Sequence, residues 1–500
     1  MSAHPGEHDA WLRRGGAIFE QLVARARKDI TRLSTDRDPA WESLERQLDE
    51  YVGGSGREVP AGFVASSLAR CQVVVVGGLS TSLHGLELAG RLMRRLPGCT
   101  LALNLPSSEH QEALDAFLDG KLDHGRLSDA LGLCECLPVY ACPGYVSLLE
   151  LARTQGSQVV LYESDAHHDV AGRDEDALLL LDAALHACPG RPLLVLAGEL
   201  RVSPASLLGG LHRLVGREGV ASVYCDLPGP YLRDILRGGN GRGWSSLGPG
   251  RFCECRQSPL ASLQSFLSWH AHGEVPVRGD RLAPSVAAMV KRIARFVGLE
   301  LPPLPAVTVL GPGDPRLLAM AAASGRVNDA GLEFLAARMG AGESRMVPEA
   351  DLLYLGNIAC GHVAEEAAHW LRSLTGGAAY GTDGEDAFWG VAVHELLGFF
   401  GSKVVSPERR PVGIGELGRV AAADRGEALA HVYGYNLAER LFRLSGDDSV
   451  VDWVRALCLQ DLVEPGTAKR LYLAGLDLAA RTSRSRKGGT RASGRGRKGR

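Results

Sequence analysis

The sequence of 500 residues has no uncharged apolar run long enough to cross a membrane, and its first residues contain no apolar stretch of the kind that directs secretion. It also lacks the composition of a disordered or collagen-like chain, because 45% of its residues are hydrophobic. The length corresponds to roughly three domains of about 150 residues each. These features predict a soluble, cytoplasmic, multidomain protein without a membrane span.

The eleven cysteines are odd in number and follow no regular spacing, which favours free thiols over a disulfide framework. The pairs Cys134/Cys136 and Cys253/Cys255 are each separated by one residue, closer than zinc ligands usually lie. The zinc-protease motif His-Glu-x-x-His is also missing. Buried, reduced thiols are therefore the expectation.

Charge is unevenly distributed along the chain. Residues 481–500 contain nine Lys or Arg and no acid, whereas the whole chain has 55 basic and 58 acidic residues. A basic segment rich in Gly and Ser is typical of a disordered tail. We expect such a tail to attract nucleic acid without base selectivity, or to act only as a solubilising end.

The hydrophobic pattern divides the chain into four regions. Residues 1–65 have helical periodicity and predict an N-terminal helical extension. Residues 66–275 alternate short apolar runs such as VVVV and LLVL with helical patterns, which predicts an α/β domain with a mostly parallel sheet and helices on both faces. Residues 276–480 predict a helix-rich C-terminal domain, followed by the basic tail at 481–500.

Candidate ligand-binding residues follow two of the predicted strands, because ligands of such sheets bind beyond the carboxyl ends of the strands. Gly77, Gly78 and Ser80 follow the first strand, and Glu199 and Arg201 follow a later one. The first turn is rich in glycine but matches neither the dinucleotide fingerprint nor the phosphate loop. Nucleotide binding is therefore not predicted.

The order of elements from about Leu68 to His272 resembles the ChaN-like haem-binding uptake family of the Tiki superfamily. The matching stretches include VVVVGG, LALNLPSSEHQEALDAFLDGKLD, YVSLLELARTQGSQVVLYE and PLLVLAGELRVSPASLLGGL. The resemblance implies a ChaN-like α/β fold. It also implies Gly-Glu-x-His and Gly-x-x-His turns that hold a metal in the hydrolytic members.

This sequence departs from both turns. Leu79 and Thr81 stand where the first turn would have its acid and histidine, and Arg201 stands where the second would have its histidine. A guanidinium has only donor nitrogens and a permanent charge, so it cannot ligate a metal. The resemblance therefore implies a degenerate, non-catalytic site.

Three alternatives remain open for ligand binding in this domain. His84 is a candidate displaced metal ligand that Glu199 would join. Arg201 either pairs with Glu199 or receives a small anionic ligand. By resemblance to the haem-binding members, Tyr145, or else Tyr140, would ligate haem iron.

A second group of candidate ligands lies in the sequence CGHVAEEAAHW. His362, Glu366 and His369 are spaced i, i+4 and i+7, so they share one helix face and could chelate a divalent metal. Contributors from other helices would be His394-Glu395 and the pair Glu427/His431. The alternative is an amphipathic helix whose His and Glu side chains satisfy one another.

Two functions follow from these observations. The first is a non-catalytic ligand-binding or scaffold protein that holds haem or a small anion in a ChaN-like domain. The second is a metal-dependent hydrolase or oxidase that uses His362, Glu366 and His369.

Overall fold

The computed structural model describes residues 5–33, 40–53, 56–79, 82–138, 140–164, 169–272, 275–376, 384–411 and 425–492. The chain folds into two compact units, which interleave along the sequence. Unit 1 comprises residues 1–275 and 312–342, and unit 2 comprises 276–311 and 343–500.

Unit 1 is an α/β unit. Its strands are β1 (Arg57–Glu58), β2 (Val73–Gly78), β3 (Thr100–Leu103), β4 (Val159–Leu161), β5 (Leu193–Gly198), β6 (Val220–Cys225), β7 (Gly243–Gly248) and β8 (Arg251–Cys255). Its first helices are α1 (Pro5–Leu33), α2 (Ala40–Val52), α3 (Ala61–Leu68), α4 (Leu83–Arg95), α5 (Gln111–Leu118), α6 (His124–Ala130) and α7 (Leu133–Cys136). The later ones before residue 275 are α8 (Cys142–Gln155), α9 (Val170–Ala187), α10 (Leu207–Val215), α11 (Pro228–Leu236) and α12 (Pro259–His272).

The eight strands form one sheet in the order β1-β7-β8-β6-β2-β5-β3-β4. The six strands from β8 to β4 run parallel, and β1 and β7 add an antiparallel edge. All six residues of β2 are buried, because helices cover both faces of the sheet. This confirms the predicted fold class.

The N-terminal helices belong to unit 1, and so do α14 (Arg316–Ala323) and α15 (Asp329–Ala341). Phe19 of α1 lies in the same apolar cluster as Ala319 of α14. Gly15 approaches Pro315 so closely that a Cβ there would lie 2.3 Å from its carbonyl oxygen. This grouping also divides the chain between residues 275 and 276, and it places the segment 312–342 with α1 although the two are distant in sequence. The four predicted domains stay a prediction.

Unit 2 is dominated by helices. They are α13 (Leu282–Phe296), α16 (Cys360–Leu374), α17 (Gly384–Val405), α18 (Arg425–Leu444), α19 (Asp448–Leu459) and α20 (Thr467–Ala492). The short strands β9 (Thr308–Leu310), β10 (Arg345–Val347) and β11 (Leu352–Tyr354) form a sheet in the order β10-β11-β9. The predicted helix-rich C-terminal region is thereby confirmed.

Aromatic rings pack the helices of unit 2 against one another. Phe399 of α17 stacks on Tyr435 of α18 with ring centroids 4.4 Å apart. Phe296 of α13 contacts both Phe400 and Phe442. These rings help to hold α13, α17 and α18 together.

Helix α20 extends to Ala492. The basic segment 481–500 therefore begins inside a helix, and residues 493–500 lie outside the described residues, so the disordered tail stays a prediction. The nucleic-acid contact of this segment stays a prediction. Among the described residues, no helix has both the length and the apolar character needed to cross a bilayer, and the cysteines whose side chains are described there are free.

Gly434 of α18 is required for the close approach of α17. A Cβ at Gly434 would lie 2.5 Å from the carbonyl oxygen of Ala392 and 2.8 Å from the amide nitrogen of Leu396. We expect Gly434→Ala to lower the free energy of unfolding by about 1–3 kcal/mol, because a backbone cannot move aside cheaply. Urea denaturation measures the change.

Gly426 is the matched control on the same helix, because a Cβ there would meet no atom within 4 Å. Gly426→Ala should leave the protein unchanged or stabilise it by up to about 1 kcal/mol. Equal urea midpoints for the two variants would contradict the close packing of α17 on α18.

Candidate functional site

The carboxyl edge of the parallel sheet holds most of the candidate ligand-binding residues of unit 1. Gly77, the residue before the end of β2, packs against Val202, since a Cβ at Gly77 would lie 2.8 Å from a methyl group of Val202. Gly78 lies beside Cys225 at ordinary contact distance. Close packing therefore requires glycine at position 77 but not at 78, and Ser80 and Thr81 lie outside the described residues.

His84 is buried at the start of α4, between two carboxylates. Its Nδ1 lies 2.8 Å from Oδ2 of Asp226 and its Nε2 lies 2.9 Å from Oε2 of Glu254. Burial alone would lower the pKa of His84, but the two carboxylates outweigh it and raise the pKa to about 9. At neutral pH both ring nitrogens therefore donate, which leaves His84 without a free lone pair for a metal.

Asp226 directly follows β6 and is held in place by several donors. Its Oδ1 accepts the backbone N–H of Arg256 at 2.8 Å and that of Gln257 at 3.3 Å. Glu254, within β8, also pairs with Arg91. The two carboxylates and His84 thus form a closed, charge-compensated cluster rather than the expected His84/Glu199 ligand pair.

Arg201 is also buried, with 7% of its surface exposed. Its Nε donates to Oδ1 of Asp174 at 2.8 Å, and its Nη1 pairs with Glu163. The guanidinium therefore does not pair with Glu199. Because two carboxylates already compensate its charge, Arg201 is a poor receptor for an anionic ligand.

Glu199 instead forms an ion pair with Arg27 of the N-terminal helix α1. Nη2 of Arg27 lies 3.5 Å from Oε1 of Glu199, and its Nη1 lies 3.1 Å from Oδ1 of Asp49. Burial raises the pKa of Glu199, and Arg27 opposes that rise. A cavity of only about 20 Å³ remains between Arg27, Glu199 and Asp226, about the room of a single water molecule.

Tyr145 of α8 is 2% exposed, and its hydroxyl donates to the carbonyl oxygen of Leu105. The cavity that it lines beside Gly78 also measures about 20 Å³. Small-molecule pockets have volumes of about 300–1,000 Å³. The residues around Tyr145 therefore do not fit a haem in this conformation.

The second candidate site lies among the helices of unit 2. His369 of α16 and His394 and Glu395 of α17 each offer one ligand atom, and these atoms all lie within 4.8 Å of one another. The two imidazole rings stack at 3.6 Å between centroids with an interplanar angle of 8°. Burial lowers the pKa of both histidines, which keeps them in the neutral form that binds metals.

The surrounding residues leave room for this group and orient it. A Cβ at Gly398 would lie 2.6 Å from Cε1 of His369, so only glycine leaves space for that ring. Nδ1 of His431 lies 3.1 Å from Oε2 of Glu395. Nδ1 of His369 is buried and has no hydrogen-bond partner within the described part of the chain, which is costly for a polar atom.

The structure separates the three predicted metal ligands of α16. His369 belongs to the group just described, but Nδ1 of His362 lies 3.1 Å from Oε2 of Glu365. Oε1 of Glu365 in turn lies 2.8 Å from Nη1 of Arg409. Burial opposes ionisation of Glu365, but Arg409 and His362 lower its pKa to about 2. His362 is thus part of an ion-paired cluster with Glu365 and Arg409.

Glu366 is the remaining member of the predicted set. Burial and the nearby carboxylates of Glu395 and Glu365 raise its pKa to about 8, so this side chain is predominantly neutral at pH 7. It lies outside the group whose ligand atoms come within 4.8 Å of one another. Among the described residues, the side chains whose ligand atoms come together are His369, His394 and Glu395, and of the predicted set only His369 belongs to this group.

Comparison with solved structures finds a similar chain in ChaN of Campylobacter jejuni, in a structure that shows cofacial haem binding. The identity is 12%, and the match covers 39% of this chain and 92% of that chain at a TM-score of 0.28. No protein-family model and no curated protein matches. At this identity and TM-score, the haem site of that protein is not transferred to residues of this chain.

Sequence reasoning missed five partners at the sheet edge: Asp226, Glu254, Arg27, and the two partners of Arg201, Glu163 and Asp174. The first two could have been found, because Asp226 ends the run VASVYCD and Glu254 lies in the strand pattern RFCEC, both at carboxyl ends of strands. Arg27 gave no such signal, since its contact with Glu199 depends on how α1 packs. The contributors His394, Glu395 and His431 were anticipated and do come together.

The position of His84 predicts a specific pH dependence of stability. Its pKa is about 9 in the folded protein and about 6.5 in the unfolded chain. The stabilisation is therefore fully present below about pH 6.5 and is lost as the pH rises through about 9. Relative to His84→Gln, whose amide does not titrate, the wild-type advantage in urea denaturation should fall by on the order of 3 kcal/mol over this range. A difference that stays constant with pH would show that the two carboxylates do not raise the pKa of His84 in the folded protein.

Arg201 should be essential for the stability of unit 1. Arg201→Met removes the charge but keeps the length, and it leaves Glu163 and Asp174 buried without their guanidinium. We expect a loss of about 3–5 kcal/mol in the free energy of unfolding. Arg191, which is exposed, is the matched control, and Arg191→Met should change stability by less than about 0.5 kcal/mol. Similar urea midpoints for both variants would refute this role of Arg201.

Proposed function

We propose that this protein binds a divalent transition metal ion in its helical unit, through His369, His394 and Glu395. The observation that carries the proposal is the convergence of three ligand atoms within 4.8 Å on two packed helices. Bonds from zinc to histidine nitrogen are about 2.0–2.1 Å long, so two ligand nitrogens of one ion lie up to about 4.2 Å apart. Small side-chain movements would therefore close the group around an ion.

The chemistry of the donors supports a transition metal over calcium or magnesium. Two imidazoles and one carboxylate suit zinc, iron and similar ions, whereas the hard cations prefer oxygen ligands. Binding would also give the buried Nδ1 of His369, or the opposite ring nitrogen after a ring flip, a partner that it otherwise lacks. Three protein ligands leave coordination positions open for a water molecule or a small ligand.

In this proposal the ligands are held in place by a histidine of α18 and by a glycine of α17. His431 would hold the carboxylate of Glu395 in its orientation, as hydrogen-bond partners of metal ligands commonly do. Gly398 would keep the space that the ring of His369 occupies. Glu365 on α16 already has Arg409 as its partner and is therefore not available as a further ligand.

The proposed role of unit 1 is that of a non-catalytic support. The cations at its sheet edge already have carboxylate partners, as Arg201 and Arg27 illustrate. Haem binding at Tyr145 is less favoured, because the cavity beside Tyr145 is too small for a haem. Anion binding at Arg201 is also less favoured, because carboxylates already compensate the charge of its guanidinium.

Metal analysis tests the proposal. Full-length protein loaded with Co²⁺ or Zn²⁺ and dialysed should retain a single ion per chain by elemental mass spectrometry, with the visible absorption of Co²⁺ as a second readout. His369→Ala and Glu395→Ala should lose this stoichiometric binding. Gly398→Ala should weaken it by about ten- to hundredfold, since displacing the ring resembles removing a residue that orients a metal ligand.

His362→Ala is the matched control on the same helix, because His362 contacts Glu365 instead of the proposed ligands. It should retain the ion. Circular dichroism of each variant establishes that the helices are intact. Loss of the ion in His362→Ala with retention in His369→Ala would refute the ligand set, and the absence of stoichiometric metal in folded wild-type protein would refute the function.

A further inference from the structure

A large cavity in unit 2 is distinct from the proposed metal ligands. It measures about 790 Å³ and lies between helix α13, the loop 301–307 and Trp370. Ala283, Ala287 and Lys291 follow one another at intervals of four residues, so they form a stripe along one face of α13. The volume falls within the range of about 300–1,000 Å³ that is typical of small-molecule sites.

The wall opposite α13 is rich in proline. Pro302, Pro303 and Pro305 all line the cavity. Their rings fix the backbone φ angle, so this wall loses little conformational freedom when a ligand binds. An apolar ligand would therefore meet a surface that is already formed.

The charge of the cavity lining is positive. Lys291 is the sole charged residue among the lining residues, and the others are Ala, Pro, Leu, Val and Trp. Lys291 is exposed, and no ion pair joins it to a carboxylate anywhere in the part of the chain that the structure describes. An apolar cavity with an uncompensated cation at its surface is complementary to a ligand with an apolar body and one negative charge.

We propose that this cavity binds an amphiphilic monocarboxylate, with the alkyl body between α13 and the proline-rich loop and the carboxylate at Lys291. The flat ring of Trp370 provides apolar contact area for the alkyl chain. A neutral ligand of the same shape would bury the same apolar surface but would gain nothing from Lys291. The inference is independent of the metal site, because none of its lining residues is a proposed ligand.

Isothermal titration calorimetry of the full chain with decanoate, decanol and decylamine, each below its micelle concentration, tests the proposal. We expect saturable binding of decanoate, weaker binding of decanol and the weakest binding of decylamine. Lys291→Ala should weaken decanoate about three- to fivefold, the effect of an exposed charge pair, and should leave decanol unchanged. Lys121→Ala, which removes an exposed lysine of unit 1, should change neither.

Filling the cavity provides the second arm of the experiment. Ala287→Trp should abolish binding of decanoate and decanol alike, and Ala283→Trp, at an exposed position, serves the same purpose if the first variant does not fold. Circular dichroism distinguishes a filled cavity from an unfolded unit. Equal affinities for decanoate and decanol, an unchanged decanoate affinity in Lys291→Ala, or no saturable binding to wild-type protein would each overturn the proposal.

Discussion

A carboxylate that is removed from water must be compensated by a cation or by several hydrogen-bond donors, and the carboxyl edge of the sheet in unit 1 is organised by this requirement. Arg201 compensates Glu163 and Asp174, Arg27 compensates Glu199, and protonated His84 bridges two further acids. In each case the cation is a side chain of unit 1 itself. The cavities left beside Glu199 and Tyr145 are very small, about 20 Å³ each.

In the helical unit, some buried polar groups have a compensating charge and others are neutral. Glu365 is compensated by Arg409 and by the neighbouring His362, as at the sheet edge. By contrast, burial favours the neutral forms of the stacked His369 and His394. Neutral imidazoles retain a lone pair, so this is the part of the described chain where the chemistry of the side chains favours a metal.

The amino-acid pattern predicted the sheet well because each parallel strand is buried on both faces and therefore forms a continuous apolar run, as in β2 and β5. It also placed His369 on a helix with nearby polar residues. It could not place His362, since the spacing i, i+7 puts two residues on one helix face without determining which neighbours they contact. Here Arg409, from beyond the end of α17, donates to Glu365, and Glu365 is also the hydrogen-bond partner of His362.

The interleaving of the two units along the chain affects how the protein folds during synthesis. Arg14 of α1 pairs with Glu333 of α15, 319 residues later in the sequence. The apolar face of α1 around Phe19 packs with α14. Because α14 follows residues 276–311 of unit 2 in the sequence, this face stays partly exposed until the ribosome has made that segment and α14. At a synthesis rate of about 5–20 residues per second, the nascent helix exposes part of this face for many seconds. Unit 1 therefore cannot be completed before translation of unit 2 has begun.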